Sequence, residues 1–291
     1  MTRAVVAIPV RDEEARLGPC LGALFGGSVR PDAVVVLLNN CTDRSEAIAR
    51  EAAGRWPVRP VVVRLPPGRA HAGPARALAM RHADALCGAG DVLLTTDADG
   101  VVAPGWMAAN LAAFAGGAEA VCGRAVIDPG EALLIPAHLH EDDAREVLLT
   151  TLLDEIASRV DPEEADPWPR HTEHSGASLA VRCAVFRRVG GMPERESGED
   201  RAFVDALLRV DARVRHACGA VVTVSGRTEG RARDGMADAI RRRMMRQDEL
   251  TDERLEPARD AWRRVGLRAR ARGVWAGGAA DGGLAGELGM A

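Results

Sequence analysis

The chain contains no lysine, so all 38 residues in the Lys-plus-Arg count are arginines. Any phosphate held by a side-chain cation is therefore held by a guanidinium, whose planar fork suits pairs of phosphate or carboxylate oxygens. Beside 31 glycines and abundant alanine, this absence reads as coding bias rather than mechanism. C-x-x-C spacing is also missing. The six cysteines, at 20, 41, 87, 122, 183 and 218, lie in or beside apolar runs, which predicts buried, reduced thiols in a cytoplasmic protein. No stretch reaches the ~20 apolar residues of a membrane span. The N-terminus enters the short apolar segment 4–8 directly, without the flanks of a signal peptide. The expectation is a soluble, cytoplasmic protein with no membrane span. There is no excess of positive charge either. The formal net charge of −4 leaves nucleic acid off the list of expected partners.

What is present is ordinary for a globular chain: 291 residues, 47% hydrophobic and 27% charged, enough for one large α/β domain. Segment 4–10 is a continuous apolar run, as expected of a strand buried on both faces. A helix is predicted over 12–24, a strand over 33–38, a helix over 43–55 with Thr42 as a candidate N-cap, and a strand over 58–65. A helix over 73–86 and a strand over 91–96 follow. This alternation predicts a doubly wound, mostly parallel sheet with helices on both faces. In such sheets ligands gather at the carboxyl ends of strands, where 9–13, 39–40 and 97–99 all fall. The second half predicts a helix over 106–114, a strand over 118–126, a long helix over 139–160 and a loop over 161–174. Then come a strand over 178–182, a helical turn over 184–189, a helix over 199–210, one or two strands within 214–224, and a basic helix over 235–248. From about Gly266 the Gly, Ala and Arg content predicts a flexible tail to 291. One domain over 1–265 is expected, with halves at 1–100 and 101–235 and terminal helices at 236–265.

The sharpest chemical signal is Asp97-Ala98-Asp99 at the end of an apolar strand. Two carboxylates this close conflict unless a cation neutralises them. Hard oxygen ligands with an open coordination sphere suit Mg²⁺ or Mn²⁺ shared with a diphosphate. A solvated Asp-x-Asp-Gly turn is the plain alternative. An EF-hand is excluded, because no Glu stands at the required loop position.

The other strand ends extend the pattern. Ile8-Pro9-Val10-Arg11-Asp12-Glu13-Glu14, Asn39-Asn40-Cys41-Thr42-Asp43, Gly73-Pro74-Ala75-Arg76 and the Asp97-Ala98-Asp99 triplet occur in order. Gly176-Ala177-Ser178, Val189-Gly190-Gly191-Met192-Pro193 and Gly198-Glu199-Asp200 follow. Over about residues 4–235 this series resembles the family 2 glycosyltransferases, which have the GT-A fold. Asp12 and Ala77 stand where the family carries Asn. The resemblance implies a nucleotide-sugar-binding half over 1–100 and an acceptor half over 101–235. It implies that Pro9, Val10, Arg11, Glu13 and Asn39 hold the base and ribose, with Ala98 between the two carboxylates. Arg76 would contact the nucleotide or its phosphates, Asp97 the ribose region, and Asp99 the metal. Asp200, with Glu199 beside it, would be the general base of an inverting hexosyl transfer, a role that suits a carboxylate within reach of an attacking hydroxyl. An acidic first helical turn is the alternative for Glu199 and Asp200.

One departure stands out. Many members of the family it resembles carry a His after the last core strand that completes the metal shell, whereas this chain reads Val224-Ser225-Gly226-Arg227. His216 lies too early and reads as structural. Arg227, Arg231 and Arg233 cluster instead, and are expected to close on a donor diphosphate or an acidic acceptor. His171, His174 and Trp168 are candidates for the acceptor pocket beside Gly176 and Ala177. His138, His140, Glu141 and Asp142 read as a polar helix start, and Arg241–Arg243 as a solvated face. The expected partners are a nucleotide-diphosphate sugar and a small or soluble acceptor; a homodimer is left open. Two other readings stay open: a nucleotidyltransferase of related fold, and a degenerate nucleotide-sugar-binding protein. The missing Gly-rich basic loop after the first strand counts against the former. It equally counts against a dinucleotide-dependent dehydrogenase.

Overall fold

The computed structural model describes residues 2–228, 230, 236–245 and 255–276. The elements run β1 (Ala4–Val10), α1 (Leu17–Gly26), β2 (Ala33–Asn39), α2 (Ser45–Ala53), β3 (Val58–Val63), α3 (Ala72–Asp84), β4 (Val92–Thr95) and β5 (Val101–Val102). They continue with α4 (Trp106–Ala115), β6 (Ala120–Ile127), α5 (Pro129–Ala132), α6 (Ala137–Val160), β7 (Leu179–Arg182) and α7 (Cys183–Arg188). The last are α8 (Glu199–Arg209), β8 (Val214–Val224), α9 (Met236–Met244) and α10 (Ala258–Ala276). Among the described residues, eight strands form one sheet in the order β3-β2-β1-β4-β7-β6-β8-β5. β3, β2, β1 and β4 are mutually parallel, and β7 runs antiparallel to both β4 and β6. This is the expected α/β architecture, a mixed and mostly parallel sheet with helices on both faces.

The unbroken apolar strands follow from that position. Ala4, Val6, Ile8 and Val10 pack against α1, α2 and α4 on one face. Val5 and Ala7 pack with α3, α7 and α8 on the other. A strand covered on both faces has no use for polar alternation. The reversal at β7 places the site. Thr95, the last residue of β4, pairs with Leu179, the first of β7. The segment entering β7 therefore meets the loop leaving β4 at one edge of the sheet.

Several element limits differ from the sequence expectation. α1 begins at Leu17, not 12, because Asp12 adopts φ +52° and its Oδ1 accepts the Thr42 and Asp43 N–H groups at 2.6 and 3.2 Å. Thr42 is thereby not an N-cap. α2 starts at Ser45, whose N–H donates to Asp43 Oδ1 at 2.9 Å. The segment 214–224 is one strand, and its partner β5 has only two residues. The tail expected from Gly266 is instead the second half of α10 as far as Ala276. α10 packs on α6, buries Ala261 and Val265, and sets Arg268 and Arg272 on Asp161 at 2.7 and 2.8 Å. Arginines of the predicted tail are here paired with a carboxylate. Residues 277–291 lie outside the described residues, as does part of the predicted helix 235–248. No helix among the described residues is long and apolar enough to cross a membrane. Cys20, Cys122 and Cys183 are buried, but Cys218 is exposed, against expectation.

Candidate active site

A cleft of about 1720 Å³ opens where β1, β2 and β4 end. Pro9 and Val10 close β1 and line it, followed by Arg11 and Glu13. Arg11 donates to the Ala70 carbonyl at 2.5 Å, which fixes the loop before α3. Asn39, the last residue of β2, is buried, and its Oδ1 has no hydrogen-bond partner among the described residues. Orphaned buried acceptors are rare because they are costly, so a cleft-lining one is a position for a donor group to fill.

Arg76 joins the two sides of the cleft. It sits in the first turns of α3 with its side chain 6% exposed. Nη2 donates to Asp97 Oδ1 at 2.7 Å, Nε to Glu199 Oε1 at 2.9 Å, and Nη1 to the Gly176 carbonyl at 2.8 Å. Gly176 is required by this approach, since a Cβ there would stand 2.6 Å from the Arg76 Cζ. In this arrangement the guanidinium holds protein groups on both sides and also lines the cleft.

The expected metal carboxylate, Asp99, faces Arg227. Arg227 donates to Glu13 Oε1 and Oε2 at 2.7 and 3.1 Å, and Nη2 stands 3.0 Å from Asp99 Oδ2. Its segment is held by Glu131, whose Oε2 accepts from Ser225 Oγ and the Gly226 N–H at 2.8 and 2.6 Å. Arg231 and Arg233 lie outside the described residues. Burial, then the charge of Asp97, pushes the Asp99 carboxyl up to about 6, so the one guanidinium does not neutralise it. Glu13 and Asp99 pair with Arg227, and Asp97 and Glu199 with Arg76, so each of these guanidiniums is shared by two carboxylates. The chemistry of this set of carboxylate oxygens fits a hard divalent ion.

Across the cleft, Gly198 takes φ +66°, a left-handed conformation that suits glycine, and turns the chain into α8. Glu199 and Asp200 occupy the first turn, where the helix dipole favours acids. Glu199 is buried on Arg76, while Asp200 lines the cleft, its Oδ2 accepting the Gly176 N–H at 2.9 Å and its Oδ1 the Arg201 N–H at 2.7 Å. His174 and Gly176 also line the cleft. Ala98 is a nearly buried part of its wall, and Ala177 is buried beneath it. Trp168 is exposed and is not among the lining residues, so the expectation that it faces the acceptor pocket is not met by this geometry. His140 meets the Ala132 carbonyl at 2.9 Å near the start of α6, as a polar helix start would.

Sequence reasoning passed over Asp166. This buried carboxylate accepts from Arg215 at 2.9 Å, from the His216 N–H at 2.8 Å, and meets His216 Nδ1 at 2.7 Å. With Arg170 on Asp154 at 2.8 Å, it fastens the 161–178 loop to α6 and β8. Its signal was hidden in a run of acids and prolines. His216, read as structural, lines the cleft and stands 3.1 Å from His174 between their Nε2 atoms.

Comparison with known proteins places this geometry. The model of glycosyl transferase family 2 matches residues 5–181, which includes the donor-side residues and Gly176. No curated protein sequence matches the chain. Among solved structures it is similar to S. aureus TarS 1–349 in complex with UDP-GlcNAc, at 17% identity and a TM-score of 0.55, over 94% of this chain and 73% of that one. It is also similar to the mannosyltransferase PcManGT from Pyrobaculum calidifontis in complex with GDP-Man and Mn²⁺, at 17% identity and a TM-score of 0.55, over 99% and 79% of the two chains. Likeness at such low identity speaks for the fold, and the family match over more than half of the chain speaks for descent: the chain belongs to glycosyl transferase family 2 and has the GT-A fold.

Proposed function

We propose that this protein moves a hexosyl group from a nucleotide-diphosphate donor to an acceptor hydroxyl, with inversion at the anomeric carbon. The observation that carries the reading is that Asp97, Asp99 and Asp200 line one cleft, with Arg76 bridging Asp97 to the turn that bears Asp200. Asn39 and the 9–13 segment suit the base and ribose. Asp99 would hold Mg²⁺ or Mn²⁺ together with the diphosphate, and such an ion supplies neutralisation of the leaving group's charge. Arg227 stands beside Asp99 and adds a fixed positive charge on the same side. Asp200 takes the acceptor proton, and the Gly176 and Arg201 N–H groups hold its carboxylate in one orientation. Glu199 serves Arg76 rather than the acceptor. The nucleotide sugars and Mn²⁺ in the complexes of TarS and PcManGT support a donor and ion of these classes. The acceptor is a small or soluble molecule, and catalysis in the cytoplasm is part of the same reading.

A second reading, a protein that binds nucleotide sugar without turning it over, is favoured by Arg227 lying on Asp99. Turnover separates the two. Release of nucleoside diphosphate from a panel of nucleotide sugars should require Mg²⁺ or Mn²⁺, fall about 10²–10⁴-fold in Asp200→Asn at little change in donor KM, and collapse in Asp99→Ala. Release that survives both substitutions unchanged overturns the mechanism. Thermal stabilisation by donor without any release would select the second reading.

A further inference from the structure

We propose that Cys122, His174 and His216 form a second cation site, for a borderline-soft divalent ion of the zinc class. The Cys122 thiol and one ring nitrogen of each histidine lie within 4.8 Å of one another. The His174 and His216 Nε2 atoms are 3.1 Å apart. Around a tetrahedral zinc, two such nitrogens stand ~3.4 Å apart, and a nitrogen and a thiolate ~3.6 Å. Forming the site therefore asks the two nitrogens to part by about 0.3 Å and the sulfur to close on them by at most about 1.2 Å. A donor set of one sulfur and two imidazoles selects zinc-like ions over Mg²⁺ and Mn²⁺, which prefer carboxylates and water.

The fold positions these groups independently of any ion. Cys122 and His216 are register partners on the parallel strands β6 and β8, so the sheet fixes two of the three. His174 arrives from the loop that enters β7. Asp166 Oδ2, 2.7 Å from His216 Nδ1, accepts the N–H there and orients the ring with Nε2 on the His174 side; the proton between the two Nε2 atoms would leave as the ion binds. Metal-binding histidines are oriented by this kind of carboxylate partner. Asp166 is itself fixed by Arg215 and the His216 N–H. On binding, the Cys122 thiol releases its proton, and the thiolate takes up one of the two positive charges of the ion. Cys122 is 1% exposed, so the thiolate's charge is what makes an ion tolerable there. His174 and His216 line the cleft, which leaves a fourth position open toward it. His171 is not a ligand: its Nδ1 accepts the Glu173 N–H at 3.1 Å, which puts its proton on Nε2. The ion would tie the end of the 161–178 loop, and with it Gly176 and the orientation of Asp200, to β6 and β8.

The test is a Co²⁺ titration of the purified full-length protein, read by absorption. One equivalent should bind with the intense near-ultraviolet band of a cobalt thiolate and the visible bands of a tetrahedral ion, and Zn²⁺ should displace it. Cys122→Ser should abolish the thiolate band, and His174→Ala, a loop change that leaves the sheet intact, should weaken binding at least ~10-fold. Cys41→Ser and Asp99→Asn should leave the band unchanged. If the two histidines merely share an N–H···N hydrogen bond, the wild type shows no thiolate band and the proposal is overturned. A band that survives His174→Ala at full affinity, or that depends on Cys41 or Asp99, overturns it equally. Sugar transfer is not the readout, so the site can fail while the transferase reading stands.

Discussion

Replacing Arg76 with alanine removes the cation shared by Asp97 and Glu199. The two carboxylates do not suffer alike. The Asp97 side chain is 32% exposed and can rehydrate, so its ion pair contributes little to stability. The Glu199 side chain is 8% exposed, and without Arg76 it is a buried charge without its cation. Breaking one partner of a buried pair costs about 3–5 kcal/mol. The Gly176 carbonyl, 2.8 Å from Nη1, also loses its donor. In a chain of this size each kcal/mol lowers Tm by ~2–4 °C, so Arg76→Ala should melt about 6–20 °C below wild type by circular dichroism at pH 7. Adding Glu199→Gln removes the stranded charge and should recover a part, giving a coupling energy of about 1–3 kcal/mol in the double-mutant cycle. A Tm within ~2 °C of wild type, or strictly additive substitutions, would refute the account of Arg76 as the bond across the cleft.

Gly176→Ala puts a Cβ 2.6 Å from the Arg76 Cζ and disturbs the peptide whose N–H meets Asp200. It should cost about 1–3 kcal/mol and lower kcat more than it raises donor KM; unchanged stability and turnover would sink the close-approach argument. Glu131→Gln loosens the segment bearing Arg227, because the same carboxylate also takes Arg16 at 2.6 Å. The expected loss is about 1–2 kcal/mol in urea unfolding, with weaker donor binding, and a donor KM equal to wild type would refute the latch. For Asp161, burial raises the carboxyl, but the hydrogen bonds from Arg268 and Arg272 outweigh it and hold the group below its ordinary value of 3.8. A group lowered by folding stabilises fully above that ordinary value and loses its contribution as pH falls through the folded one. Hydrogen exchange in α10 should thus be slow at pH 6 and accelerate, beyond the intrinsic change, below about pH 4. In Asp161→Asn α10 should be loosened already at pH 6.

The parallel half of the sheet is legible in sequence because burial on both faces leaves uninterrupted apolar runs at 4–10 and 33–38 and a shorter one at 92–94. Helix starts are less so. Asp12 and Asp43 look like helix-initiating acids, yet they serve the loops at the strand ends. β5 has too few residues to leave a pattern. The site carboxylates stand out because like charges at a strand end demand a reason. Their partners do not, since Arg76 and Glu199 are 123 positions apart and nothing local links them. The same applies to Cys122, His174 and His216, which reach one another only through strand register and a returning loop. Trp168 was drawn toward the acceptor by its chemistry alone, and its exposed position follows from a loop path that composition does not encode. In α10 an interrupted apolar stripe, Ala261 and Val265, was outweighed by Gly and Arg content.

Arg76 also bears on how the chain reaches its native state. Its partners lie 21, 100 and 123 residues downstream, so residues 1–100 complete four parallel strands before two of those partners have been synthesised. Until β7 arrives to pair with β4, that nascent unit carries a bare strand edge and a guanidinium that lacks its Glu199 and Gly176 partners. Closure of the cleft is then a late event that requires most of the chain at once. The division expected near residue 100 therefore does not separate two units that can each finish folding alone.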